Sequence, residues 1–430
     1  MKRTTTILLV ALCTIFTAFS SVDVWDGTTI TPFDTVGGKG LTSENPILIE
    51  SGAQLAYLAQ QVNLGITAGG SDYDGLFFKM TTNIDLGNHE WIPIGWHVTN
   101  SNNRYFRGKF NGGRHVITNL TISNPDASVY STCSLFGAVG KGWIMNLGIG
   151  EGSSITVGSI VGGIVGTLAD KATIQNCYSQ AVVEGTSYVG GIVGYTTGAP
   201  YIINCYNKGD VTLRTTTVST KKVGGVLGAT TTAWMSYCYN TGSVSVNGVD
   251  MATSAGGLCG SYYAGRTPVR SYYLAGCAPS NGNTIGVSQT EEQMLLPAFV
   301  DSINGDQYPE IWSADLAGTE SINNGFPVLM WQVNPTSAMP SFTNGNQLML
   351  QNSPNPVRGL TKITFNVTSN ERITIKLYDL KGQEVATITD RSYSPGENEV
   401  SFDTSDLKEG VYTYRMQYGN KNEVRKMVVL

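Results

Sequence analysis

Between residues 117 and 272 the apolar positions come in short runs, and each run meets a polar residue in a recurring place. The phrase Ile-x-Asn-Leu/Cys reads Ile117-Thr118-Asn119-Leu120, Ile144-Met145-Asn146-Leu147, Ile174-Gln175-Asn176-Cys177 and Ile202-Ile203-Asn204-Cys205. Two degraded copies follow, Met235-Ser236-Tyr237-Cys238 and Val269-Arg270-Ser271-Tyr272. The third position falls at 119, 146, 176, 204, 237 and 271, a period of roughly thirty residues that marks a stacked repeat. A second phrase lies between the copies: Gly162-Gly163-Ile164-Val165-Gly166, Gly190-Gly191-Ile192-Val193-Gly194, Gly224-Gly225-Val226-Leu227-Gly228 and Gly256-Gly257-Leu258-Cys259-Gly260. Each apolar run is too short for a helix and has Gly inside it, which excludes a helical repeat. The pattern predicts an all-β parallel β-helix, in which every coil pairs its backbone with the next.

Two columns of the repeat bear on where side chains point. Asn119, Asn146, Asn176 and Asn204, stacked in register, would form an amide ladder at a bend, because Asn tolerates left-handed backbone. The other reading makes them solvated turn residues. A bend would also bring Ile174 and Cys177 to one side, where a straight strand would send them to opposite faces. Just after the Cys slot, Tyr178, Tyr206, Tyr239 and Tyr273 share one phase. Facing outward they would form an aromatic ladder for sugar rings or protein, and they are the candidate ligand-binding residues. Facing inward they are core.

The flanks read differently. Ser51 caps a helix over about residues 53–63, with Leu55, Leu58, Ala59 and Val62 at helical spacing and Gly65 as the stop. Extended segments are expected at 76–80, 84–86 and 91–96. Thr290-Glu291-Glu292-Gln293 is a capping box that opens a second helix to about residue 303. A stack of coils has two open ends that invite strand pairing. The first helix is expected to cover one end, and the second to cover or flank the other. Residues 334–350, rich in Pro, Ser, Thr and Asn, read as a linker. Residues 351–430 then carry 11 Lys/Arg and 10 Asp/Glu, against 16 and 22 in all that precedes them. Short alternating runs at 362–367 and 374–378, with turns at Lys381-Gly382, Pro395-Gly396 and Glu409-Gly410, predict a small antiparallel β-sandwich.

Composition agrees with turn-rich β architecture: 430 residues, 14% charged, with 51 Gly. A net charge of −5 over the chain leaves no overall basic footprint, so nucleic acid is not an expected partner. Met1-Lys2-Arg3, an apolar run over 7–19 and then small residues make a secretory signal peptide over residues 1–20. With Ala18 at −3 and Ser20 at −1, cleavage falls between Ser20 and Ser21. Lipidation at Cys13 fits less well, because bulky Leu12 precedes it. No other run reaches the ~18 apolar residues of a spanning helix.

Six cysteines remain: Cys133, Cys177, Cys205, Cys238, Cys259 and Cys277. In an exported chain an even count invites disulfides. The repeat favours reduced packing residues, since Cys177, Cys205 and Cys238 occupy the slot of Leu120 and Leu147. Zinc is disfavoured by the lack of a paired Cys-x-x-Cys, and no cofactor is expected. Of the three histidines, His89-Glu90 lacks the second His of a zincin, and His97 and His115 belong to no such motif. No nucleophile elbow or phosphate loop appears. The repeat acids Asp170, Glu184, Asp210 and Asp250 are sparse and out of phase, unlike the paired carboxylates of a glycosidase.

The Gly-Gly-Ile-Val-Gly and Asn-Cys-Tyr phrases resemble GLUG-type repeats of bacterial surface proteins, with residues 106–120 as the usual lead-in. That resemblance covers most of residues 22–333 and implies a parallel β-helix. The tail resembles type IX secretion C-terminal sorting domains, through Ser353-Pro354-Asn355-Pro356-Val357, Leu377-Tyr378-Asp379-Leu380-Lys381-Gly382, Leu407-Lys408-Glu409-Gly410-Val411-Tyr412 and Lys426-Met427-Val428-Val429-Leu430. The chain departs from it by ending in Leu430, where Lys is common. The resemblance implies passage across the outer membrane by the type IX machinery, tail removal, and attachment to a surface lipopolysaccharide. The sorting residues carried over are Pro354, Asn355, Pro356, Gly382, Gly410, Tyr412 and Lys426. The expected layout is a signal peptide over 1–20, a β-helix with helical caps over 21–333, a linker over 334–350 and a sorting sandwich over 351–430. The expected role is non-enzymatic, adhesin-like binding of glycan or protein at the cell surface. A polysaccharide lyase or glycoside hydrolase on the same scaffold is the alternative.

Overall fold

The computed structural model describes residues 24–65, 73–97, 103–123, 131–214, 220–247, 254–262, 267–279, 282–305, 307, 310–315, 321–333, 350–353, 355, 357–367, 370–379, 381–394, 396–418 and 421–429. The expected signal peptide with Ser20 and Ser21, nearly all of the linker, Pro354, Pro356 and Asp250 lie outside the described residues.

Residues 47–289 wind into parallel sheets of thirteen, five, four and five strands. One coil runs through Ile160–Gly162, Val165–Ala169, Thr173–Gln175, Tyr178–Ser179 and Val182–Gly185 before Tyr188 starts the next. Register holds from coil to coil: Ile144, Ile174, Ile202 and Met235 pair in succession, as do Val183, Val211 and Val244. These residues point inward and form one continuous core with Cys177, Cys205, Cys238 and Cys259. The glycine pairs let the coil fold thin. A Cβ at Gly191 or Gly225 would clash with the inward amides of Asn207 and Asn240 opposite.

The Asn column marks a bend. Asn146, Asn176 and Asn204 hold φ of 52°, 53° and 51°, in the left-handed region where Asn is enriched. Their amides form a ladder: Asn204 Nδ2 donates to Asn176 Oδ1 at 3.1 Å, Asn176 to Asn146 at 3.2 Å and Asn146 to Asn111 at 3.1 Å. Two registers differ from the sequence reading. Asn119 does not stack on Asn146, because the strand Lys109–Thr118 shifts register between Asn111 and His115; Asn119 donates instead to Asp85 at 2.8 Å. In the last copy Val269 bridges Ser236, so the bend falls at Arg270 rather than Ser271.

Helix α1 (Gly52–Leu64) begins at Ser51, whose side chain accepts from Gln54 N, and ends at Gly65 with φ 66°. Leu55, Leu58, Ala59 and Val62 pack with Ile47, Ile49 and Phe78, which closes the N-terminal end of the core. Residues 91–96 form no strand, only bridges at Ile94 and Trp96. The expected second helix is two pieces, α2 (Glu291–Met294) and α3 (Pro297–Asn304). The Thr290/Gln293 capping box is intact, but Pro297 has no N–H to continue α2 and starts α3 instead. Beyond them come the antiparallel pair Trp312–Ser313 and Val328–Leu329 and the short α4 (Met330–Val333). Together the described residues of 290–333 form a strap along the outer wall of the solenoid, with a core of its own against that wall.

The C-terminal unit packs two antiparallel sheets around Ile363, Phe365, Ile375, Leu377, Tyr414 and Met427. One sheet holds Gln351–Ser353, Leu360–Val367 and Gly396–Asp403. The other holds Glu384–Tyr393, Glu371–Tyr378, Gly410–Tyr418 and Lys421–Val429. Leu350 is already part of this second core.

Candidate functional site

The tyrosine column is real but differs from the sequence reading in two ways. Tyr178, Tyr206, Tyr239 and Tyr272 pair in succession, and Tyr273 shares its register with Asn207 and Asn240. Tyr273 is therefore an inward residue that packs on the solenoid core against Gly257, and Tyr272 takes its place in the ladder. The ladder points outward, with ring centroids of Tyr178, Tyr206 and Tyr239 at 5.1 and 5.0 Å, yet Tyr178 is 7% exposed and Tyr206 and Tyr239 are 0% exposed. The strap covers it. Trp331 lies 5.8 Å from Tyr178, Trp312 lies 6.0 Å from Tyr206 and 5.3 Å from Tyr239, and Phe299 lies 5.0 Å from Tyr272. The phenols hold the strap by hydrogen bonds: Tyr206 Oη donates to Gln332 Oε1 at 3.2 Å, Tyr239 Oη donates to Pro327 O, and Asn323 Nδ2 donates to Tyr239 Oη at 2.7 Å. Burial pushes the Tyr178 phenol up to about 12. What this column does in the folded chain is dock the strap.

A second outward column lies beside it, and the sequence reading missed it. Phe77, Lys109, Trp143, Thr173, Tyr201 and Trp234 pair in succession on coils whose inward partners are Phe78, Phe110, Ile144, Ile174, Ile202 and Met235. Trp143 is 5% exposed and stands edge-on to Phe77 at 6.1 Å, whereas Tyr201 and Trp234 are half-buried. The signal was in the sequence, at the residue just before each Ile-x-Asn phrase. It varies between Trp, Thr and Tyr, so it does not read as a repeat.

The other candidates are accounted for by local structure. Glu184 is in an ion pair with Arg214, and Asp210 accepts from Ser243 N at 3.2 Å. His89 stands edge-on to Trp25, His97 lies 5.9 Å from Tyr105, and His115 is close enough to Lys79 to feel its charge. Burial, aided at His115 by Lys79, holds His97 and His115 below the ordinary imidazole range. No group of three His, Cys, Asp or Glu among the described residues could hold a metal ion. None of the six described cysteines is in a disulfide, and burial pushes Cys133 up to about 12 and Cys277 to about 11. A cavity of about 320 Å³ opens between α1 and residues 90–96, with Trp25, Trp91, Trp96 and Ile92 in its apolar wall. Glu90, at its rim, is taken up by the N–H and hydroxyl of Ser123.

In the C-terminal unit the motif residues act on each other. Asn355 Nδ2 donates to Lys426 O, and Val428 N donates to Asn355 Oδ1, both at 2.8 Å, which pins the Asn355 segment to the last strand. Tyr412 Oη donates to Lys408 O at 2.8 Å across the turn before its strand, and Gly382 turns with φ 77°. Gly410 opens the strand that Tyr412 continues. Residues 353–430 match the secretion system C-terminal sorting domain family. The chain carries a type IX sorting domain. Residues 185–212 match the GLUG motif, within the coils described above. The sorting domain makes this an exported protein, delivered by the type IX secretion machinery to the cell surface or beyond it. No helix among the described residues is long and apolar enough to cross a membrane.

Over 166 residues the chain is 32% identical to halomucin of Haloquadratum walsbyi, a stretch that is 37% of this chain and 2% of halomucin. A crystal structure of a candidate immunoglobulin A1 protease from Bacteroides ovatus overlaps 68% of this chain and 94% of its own, at 21% identity and a TM-score of 0.39. That overlap is too loose to transfer an activity. The sorting domain supports a direct expectation: deletion of residues 351–430 leaves the protein in the periplasm. Surface protease accessibility and fractionation check this, and normal display of the truncated chain would contradict it.

Proposed function

We propose that this exported β-helix is an adhesin-like protein that binds glycan or protein on the outside of its coils. The observation that carries the reading is the outward pair Tyr201 and Trp234, half-buried and in register on successive coils of a rigid wall beside the strap. Aromatic rings fixed at the coil spacing of about 4.8 Å offer flat apolar faces with little side-chain entropy to lose on binding. Tail removal and attachment through a surface lipopolysaccharide belong to the same reading. The full mature chain, applied to panels of glycans and extracellular proteins, is expected to bind saturably. The double variant Tyr201→Ala/Trp234→Ala is expected to weaken that binding about tenfold with the melting transition kept. Unchanged binding by this variant would count against the column. The rival reading, a lyase or glycosidase, requires clustered carboxylates, and the repeat acids Glu184 and Asp210 already serve other partners.

A further inference from the structure

Five of the 27 Lys and Arg of this acidic chain stand beside the outward aromatic column. Arg107, Lys141 and Lys171 each stand two residues before Lys109, Trp143 and Thr173, which are in register on three successive coils. Lys109 faces outward with its ammonium 4.3 Å from the Phe77 ring centroid, and exposed Lys79 stands on the same strand as Phe77. Asp74 is close enough to act on Lys109, and Asp170 is close enough to act on Tyr105. Arg107, Lys109, Lys141, Lys171 and Lys79 thus place five cations along one wall of a chain whose net charge is −5.

This arrangement is unfavourable on its own terms. Lys141 and Lys171 stand in the turns before Trp143 and Thr173 on neighbouring coils, and like charges brought together there repel. Lys141 and Lys171 also both hold φ of 61°, a region Lys seldom takes and Gly or Asn would fill more easily. Both side chains are exposed, and neither is in an ion pair among the described residues. A column of cations kept at such positions is explained by an anionic ligand that completes it.

The layout selects among anions. The cations form a line along the solenoid axis, one per coil, rather than the spread patch that suits a lipid surface. The coil step is close to the rise of one sugar residue in an extended chain, so successive anionic groups could meet successive cations. The line then runs on to Tyr201 and Trp234, where uncharged ring faces can stack. We infer that the strip from Arg107 to Trp234 binds an extended anionic polysaccharide, uronate or sulfated, lying parallel to the solenoid axis. The inference rests on the adhesive reading above and names its ligand class.

The test uses the full mature chain with four probes: polygalacturonate, dextran sulfate, uncharged dextran and single-stranded DNA. Expected are binding of at least one of the two anionic polysaccharides and its loss in about 1 M salt, where the screening length falls to about 3 Å. The exposed double variant Lys141→Gln/Lys171→Gln is expected to weaken that binding about tenfold, with the melting temperature unchanged or higher. Unchanged affinity in this variant would overturn the inference, as would DNA bound as tightly as the polysaccharide. Binding of dextran or of an extracellular protein without either anionic polysaccharide would sink this inference and leave the adhesive reading standing. Failure of every probe and every panel member would sink both.

Discussion

Replacing Trp312 with Ala is expected to cost about 3–5 kcal/mol, the range for removing a large aromatic from a packed interior. Trp312, on the inner side of the strap, is fully buried and is the ring that contacts both Tyr206 and Tyr239. Its loss opens a cavity between strap and wall that the two rigid surfaces cannot close. The damage should be local, because the solenoid core and the strap core are separate clusters. Hydrogen exchange is therefore expected to quicken across residues 297–331 while the strands at Ile174 and Ile202 stay protected. Trp312→Phe is a useful contrast. The indole N–H is buried without a hydrogen-bond partner among the described residues, so Phe sacrifices area but no such bond, and a loss of about 1–2 kcal/mol is expected. A loss below about 1 kcal/mol for Trp312→Ala would show that the strap is not packed as described.

The Asn ladder should respond in two directions. Asn176→Ala removes one donor and one acceptor from the middle of the ladder, stranding Asn146 Oδ1 and Asn204 Nδ2, and puts a Cβ-bearing residue without a local hydrogen bond at φ 53°. Each stranded buried group costs about 1–3 kcal/mol and the left-handed backbone about 1–2, so a loss on the order of 3–5 kcal/mol is expected. Asn176→Gly keeps the hydrogen-bond loss and relieves the backbone, and should be milder by about 1 kcal/mol. At the end of the ladder the sign reverses. Tyr237 holds φ 56° in the same column, and Asn204 Oδ1 is buried without a hydrogen-bond partner among the described residues. Tyr237→Asn should supply the missing donor and suit the backbone, for a gain of about 1 kcal/mol. Denaturant midpoints for the three variants check the set. A destabilising Tyr237→Asn would mean that the contacts of the Tyr237 ring outweigh the ladder.

The parts of this fold that sequence reveals are those set by nearby residues. The stacking period, the Ser51–Gly65 helix and the Thr290 capping box rest on neighbours within one turn, and each stands as expected. The register slips have local causes that dilute the repeat. Residues 112–114 add chain between Asn111 and His115, which displaces Asn119 from the ladder. In the last copy the Asn marker is gone and two tyrosines adjoin, so either Tyr272 or Tyr273 could continue the column by sequence alone. The strap was hidden for a different reason. It depends on contacts such as Trp331 Nε1 to Asn176 O, 155 residues apart, and amphipathic tyrosines carry no mark that tells a docked wall from an open one. The basic strip was hidden by averaging, because a net charge of −5 says nothing about where the cations lie.

We propose that the outer wall of the coils binds a ligand and leaves it unchanged. The most direct measurement incubates the full mature chain with the glycans it retains and follows bound ligand and newly released reducing ends in the same sample. Expected is saturable binding that is weakened by Tyr201→Ala/Trp234→Ala, with reducing ends at the level of a no-protein blank. Sustained release of reducing ends, abolished by replacing a single carboxylate on the coil surface, would contradict it.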